Sequence, residues 1–120
     1  MAEYDVTGEW IAHQSNGFDV TFNIRPTKGV FTDLDVEASY SGGRAQGKGW
    51  VSGDEFFAEV DWEAGPVGQY TGTFGLDGRL SGTTFDRTNP SSEATWFCEE
   101  PFRRLDGSSG NRPAGSQLID

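Results

Sequence analysis

The groups in this chain that could do chemistry are one histidine, one cysteine, 19 carboxylates and an aromatic set of four Trp, three Tyr and nine Phe. His13 would serve as a general base only with a partner and a place in a pocket. It sits beside the turn residues Ser15-Asn16-Gly17, where it could rim an opening with Gln14 and Asn16, and its simpler reading is an exposed histidine. Cys98 lies two residues after Trp96 and directly before Glu99-Glu100. A nucleophilic cysteine needs a base or an electropositive setting, and these acids would raise its pKa, so it reads as a buried structural thiol. A pair of acids could flank a sugar bond as in glycosidases, but most carboxylates alternate with apolar residues and belong to a solvated skin. Asp33 and Asp86 are the exceptions, near strand ends, and Asp86-Arg87 reads as a loop ion pair. One His and one Cys supply no metal cluster, and no glycine-rich loop leads from a strand into a helix to cradle phosphate. No metal and no cofactor are expected. The aromatic set remains.

Those rings must be positioned by strands. Phe18-Asp19-Val20-Thr21-Phe22-Asn23-Ile24-Arg25 alternates apolar and polar residues, as do Leu34-Asp35-Val36-Glu37-Ala38-Ser39-Tyr40-Ser41 and the stretch from Phe56 to Trp62. Period two marks strands with one buried face. No segment has helical spacing with a cap. Turn residues at 15–17, 26–29, 42–43, 52–54, 64–66, 76–78 and 89–92 divide the chain into about eight strands, near 6–13, 18–25, 34–41, 44–51, 55–63, 67–75, 79–85 and 94–102. Links this short pair neighbouring strands antiparallel. The predicted fold is all-β, a single eight-stranded antiparallel up-and-down barrel, because closure removes both sheet edges and leaves an interior fit for side chains or one small ligand. A two-sheet sandwich is the rival, with residues 26–33 its one candidate crossover. The barrel domain is expected over 1–106 and a flexible tail over 107–120, where nothing could bury a face.

Parity then assigns the faces. Asp19, Asp35, Glu37, Glu55, Glu59, Asp61 and Glu63 fall outside. Phe18, Val20, Phe22, Ile24, Leu34, Val36, Tyr40, Phe56, Val60 and Trp62 fall inside, joined by Trp10, Tyr70, Phe74 and Trp96. The strand at 44–51 reads both ways: either Trp50, Lys48 and Gln46 point inward, or Val51, Gly49 and Gly47 do. Gly68, Gly72 and Gly82 lie within strands, where they either leave space opposite large rings or merely allow coiling.

Composition limits the partners. The formal net charge is −10 and the pI about 4.3, so phosphate would be repelled and nucleic acid is not expected. No membrane partner is expected either. One cysteine allows no internal disulfide. The start Met1-Ala2-Glu3-Tyr4-Asp5 lacks the basic-then-apolar order of a signal peptide, so a cytoplasmic location is expected, though a mature secreted domain would read alike.

The run Val6-Thr7-Gly8-Glu9-Trp10, a polar turn, then Phe18-Asp19-Val20-Thr21-Phe22 resembles the opening of calycin barrels, nearest the avidin branch, which begin with Gly-x-Trp. Val60-Asp61-Trp62 resembles the avidin strand that sets a Trp beside the ligand. The resemblance implies a barrel over most of residues 5–103. It does not extend to biotin, because Asn16-Gly17 runs straight into Phe18 and 67–72 lacks a Ser-x-Thr-x-Trp pattern. The acidic skin lacks the apolar patches of tetrameric avidins, which implies a monomer or weak dimer.

The expected function is binding of a small apolar or aromatic molecule against Trp10, Phe22, Tyr40, Phe56, Trp62, Tyr70 and Trp96. Catalytic residues are not assigned. One alternative is a cofactor-free cyclase or isomerase that folds a polyene or polyketide into a reactive geometry. Another is a carbohydrate-binding barrel presenting Trp50 and Phe57 outward, and a last one is a filled, ligand-free interaction domain.

Overall fold

The computed structural model describes residues 4–27 and 30–105, without the side chains of 30–32 and 90. The tail expected from residue 107 lies outside the described residues. Ten strands follow in chain order: β1 (Tyr4–Asp5), β2 (Gly8–Gln14), β3 (Asp19–Thr27), β4 (Val30–Tyr40), β5 (Gly43–Ser52), β6 (Glu55–Trp62), β7 (Val67–Phe74), β8 (Leu80–Asp86), β9 (Asn89–Phe97) and β10 (Arg103–Arg104). Strands β2 to β9 pair with their neighbours in order and close into an antiparallel up-and-down barrel, while β1 and β10 form a separate two-stranded sheet. This architecture is consistent with calycin-like barrels.

Each hairpin keeps the parity that alternation implies. In β3 the pairing Phe22↔Ala38 and Ile24↔Val36 carries one apolar row into β4, and Val60, Ala58 and Phe56 continue the buried face in β6. The ambiguous strand resolves in favour of Val51, which is buried with Gly49 and Ala45, while Trp50, Lys48 and Gln46 point out. Lys48 Nζ donates to Asp35 Oδ1 at 2.6 Å, a cross-strand pair on the outer wall that holds the Asp35 carboxyl below its ordinary pKa. The described residues of the stretch 26–33 make no crossover: Pro26↔Leu34 and Thr27↔Val30 pair β3 with β4, with a register shift between Pro26 and Thr27.

Two boundaries differ from expectation. Residues 89–92 belong to β9 rather than to a turn, because the β8–β9 turn is closed earlier. Asp86 Oδ1 accepts from Thr88 N at 2.9 Å and from Thr88 Oγ1 at 2.8 Å, an Asx-type turn, and the register shift between Thr84 and Asp86 absorbs the irregular residues that follow. Asp86 therefore does not pair with Arg87, whose guanidinium instead meets Glu59 Oε2 at 2.9 Å. The last barrel strand also ends at Phe97 rather than near 102. Beyond it the chain crosses to the β7–β8 turn, held by Cys98 N to Leu80 O and Phe102 N to Gly78 O, both 2.9 Å.

This crossing closes one end of the barrel. Tyr4 stacks on Phe74 with ring centroids 4.2 Å apart, and Phe102 meets both Phe74 and Trp10 edge-on. Val6 and Leu80 are fully buried among them. The other end, framed by the β2–β3, β4–β5 and β6–β7 turns, is open.

Candidate functional site

The expected ligand-binding rings divide into two groups along the barrel axis. Trp10, Phe22, Phe56 and Trp96 pack on one another: Trp10 stacks on Phe22 at 4.8 Å, and Trp96 lies 6.0 Å from Phe56 and 6.4 Å from Trp10. They plug the closed half. Tyr40, Trp62 and Tyr70 instead line a cup of about 520 Å³ at the open end, with Gln14, Asn16, Phe18, Arg44 and Glu63 around it. This volume lies within the range of small-molecule sites, roughly 300–1,000 Å³.

The glycines explain the division. A Cβ on Gly72 would stand 2.9 Å from Trp96 Cζ2, and one on Gly68 would stand 3.0 Å from Trp62 Nε1. The space these glycines leave is occupied by indoles, so they create no void. Gly82 serves coiling instead: its Cβ would fall 1.8 Å from Thr71 O on β7, where the paired Gly72 and Gly82 let two backbones approach closely.

Polar atoms on the rings divide almost the same way, Tyr70 being the cup ring that is matched within the protein. Buried indole N–H and phenol O–H groups need partners. Trp10 Nε1 donates to Val6 O at 2.9 Å, Trp96 Nε1 to Thr83 O at 2.9 Å, and Tyr70 Oη to Gln14 Oε1 at 2.6 Å. Among the described residues neither Tyr40 Oη nor Trp62 Nε1 has a hydrogen-bond partner. The cup floor is ordered by a relay in which Tyr70 donates to Gln14, and Gln14 Nε2 donates onward to Asn16 Oδ1 at 3.1 Å. Burial pushes the Tyr70 phenol up to about 12, with the Thr84 side chain opposing, so it is a neutral hydrogen-bonding group at any ordinary pH. The walls are edge-to-face: Phe18 to Tyr40 at 5.2 Å and Tyr40 to Trp62 at 5.3 Å.

A comparison of the chain with known protein families, curated proteins and solved structures finds no match. The avidin-like reading of Gly8-Glu9-Trp10 and Val60-Asp61-Trp62 therefore rests on those short motifs alone.

Several expectations need correction. Phe18 has inward parity but stands just outside β3, on the rim, and is 48% exposed. His13 does not join Gln14 and Asn16 at the cup. Neighbours on a strand face opposite ways, so Gln14 points in while His13 points out, its Nδ1 2.9 Å from Asp19 Oδ1 and its Nε2 3.7 Å from Glu99 Oε1. Trp50 and Phe57, by contrast, point outward as expected, and stack on each other on the outer wall at 5.6 Å. Sequence reading missed Arg44, Pro66 and the glycine pair 42–43, all of which line the cup. Arg44 and Glu63 share the rim, where Glu63 N donates to Arg44 O at 2.9 Å. Only their place in or directly beside turn residues hinted at this. A hollow of about 610 Å³ on the outer wall, lined by Glu9, Glu37, Asp61 and Glu63, is the acidic skin itself, open to water.

Cys98 is buried, and it is burial, not Glu99 or Glu100, that pushes its thiol up from 9.0 to about 12. In the folded protein it should resist iodoacetamide at pH 8 and react on unfolding, as mass spectrometry would read. Above the unfolded value the unfolded chain loses the proton while the folded chain keeps it, so stability falls between pH 9 and 12. In Cys98→Ala, urea midpoints across this window should fall less steeply, and an unchanged slope would contradict the burial of the thiol.

Proposed function

We propose that the protein binds a small, largely apolar or aromatic molecule in the open cup, against Tyr40, Trp62, Tyr70 and the rim ring of Phe18. The observation that carries this reading is the contrast in hydrogen bonding. The indole N–H groups of the plugged half are matched within the protein, as is the Tyr70 phenol at the cup floor, whereas among the described residues Tyr40 Oη and Trp62 Nε1 have no protein partner. A ligand would lay its apolar body on the edge-to-face walls and offer an acceptor to these two groups. Trp10, Phe22, Phe56 and Trp96 then support the site from below and do not touch the ligand. The short likeness of Val60-Asp61-Trp62 to the avidin strand that sets a Trp beside the ligand accords with a ligand at this end.

Trp62 is the one Trp lining the cup, since Trp10 and Trp96 are in the plug and Trp50 is on the outer wall. Titration of intrinsic fluorescence with a panel of aromatic and polyene ligands should give a blue-shifted, saturable quench. The change should vanish in Trp62→Phe and persist in Trp50→Phe. A panel with no effect, or a quench that survives Trp62→Phe, would rule the cup out.

A further inference from the structure

The barrel wall is weakest where it closes. Strand β9 meets β2 only at His13↔Phe97 and Gln14↔Trp96, because the chain after Phe97 leaves for the β7–β8 turn. On this side residues 8–12 of β2 have no strand partner among the described residues. Antiparallel ladders point successive residues' N–H and C=O groups alternately to the two sides. Gln14 N bonds to Phe18 O toward β3, and Ser15 N bonds to Thr95 O toward β9. Even-numbered residues of β2 therefore serve β3, and the N–H and C=O groups of Glu9 and Ile11 face the open seam. A groove of about 580 Å³ runs along it, lined by the carboxylates of Glu9, Glu99 and Glu100, by the rings of Trp10 and Phe102, and by Arg103, whose charge is matched by Asp5 Oδ2 at 2.8 Å.

We propose that this seam takes an extended peptide segment of a partner protein as an added antiparallel strand, one that alternates basic and small apolar residues. The pattern follows from the groove. A residue paired with Glu9 or Ile11 shares their outward face, so its side chain meets Glu9, Glu99 and Glu100 and should be cationic. Its neighbours turn inward onto Trp10 and Phe102 and should be small and apolar. Backbone hydrogen bonds supply the attachment and the alternating side chains the selectivity, as in other cases of strand addition. Two exposed apolar residues flank the seam, Ile11 at 45% and Phe97 at 50% exposure, where the stems of long basic side chains can lie. A second copy of this chain fits poorly, since its own seam brings three more carboxylates against these three.

The proposal is independent of the cup and is tested on the full chain by amide hydrogen exchange. The probe is acetyl-Lys-Val-Lys-Val-Lys-amide, with two controls: Glu in place of Lys, and the same peptide N-methylated at the lysine amides. In the free protein the amides of Glu9 and Ile11 should exchange much faster than those of Trp10 and Ala12. Saturation with the Lys-Val peptide should slow them about tenfold and leave the Trp62 indole resonance unmoved, and neither control should do so. The combined Glu9→Gln, Glu99→Gln, Glu100→Gln variant should bind the peptide about tenfold more weakly. Three results would overturn the proposal: Glu9 and Ile11 amides already protected in the free protein, no binding at all, or binding that the N-methylated peptide reproduces.

Discussion

Trp96→Ala should lower the free energy of unfolding by about 3–5 kcal/mol, the range for deleting a large buried ring, as chemical denaturation would measure it. Trp96 is 2% exposed. It contacts Trp10, Phe56 and Tyr70, covers the bare backbone of Gly72 and donates to Thr83 O. Its removal opens a hole that no neighbour can fill and loses the hydrogen bond to Thr83 O. The informative comparison is Trp62→Ala. Trp62 is half-buried at the cup and makes no hydrogen bond through its indole among the described residues, so its loss should cost about 1 kcal/mol. The plug and the cup are then separated by measurement: one indole holds the fold, the other is free to serve a ligand. Equal losses would mean that the division along the barrel axis is wrong.

Gly82→Ala should cost about 3 kcal/mol, the upper end of the overpacking range. The obstacle is rigid. A methyl group there would stand 1.8 Å from Thr71 O and 2.6 Å from Gly72 Cα, and no rotamer change relieves contact with backbone. The β7–β8 ladder would have to part, with the Trp96 shelf on Gly72 beside it. Ser81→Ala, one residue away on the exposed face, should change stability by no more than about 0.5 kcal/mol. A Gly82→Ala protein with unchanged midpoint would show that the two backbones are not held at this distance.

Both results bear on how far the chain could be read unaided. Alternation in β3, β4 and β6 was plain because a polar residue follows nearly every apolar one. The glycine-rich β5 was not, since Ala45, Gly47 and Gly49 carry too little side chain to reveal a face. Asn89-Pro90-Ser91-Ser92 looks like a turn by composition, yet the nearby Asp86–Thr88 hydrogen bonds had already reversed the chain. The β1–β10 sheet was missed because two-residue strands have no period to detect.

What the amino-acid order determined alone was which residues share a face: period-two patterning acts locally, and short turns leave successive strands no choice but antiparallel pairing. It thereby determined the succession of eight antiparallel strands and the acidic exterior, while closure of the wall, against a two-sheet sandwich, is shown by the pairing of β2 with β9. Only the tertiary structure decided whether an inward ring would fill the barrel or border an opening. That depends on how far round the wall each strand is staggered and on which glycine lies opposite which indole, and both are set by residues far apart in the chain. Trp96 and Trp62 have the same parity and the same chemistry. Gly72, Thr83 and Tyr70 bury one of them, and the turns at 42–43 and 64–66 leave the other at the edge of a cup.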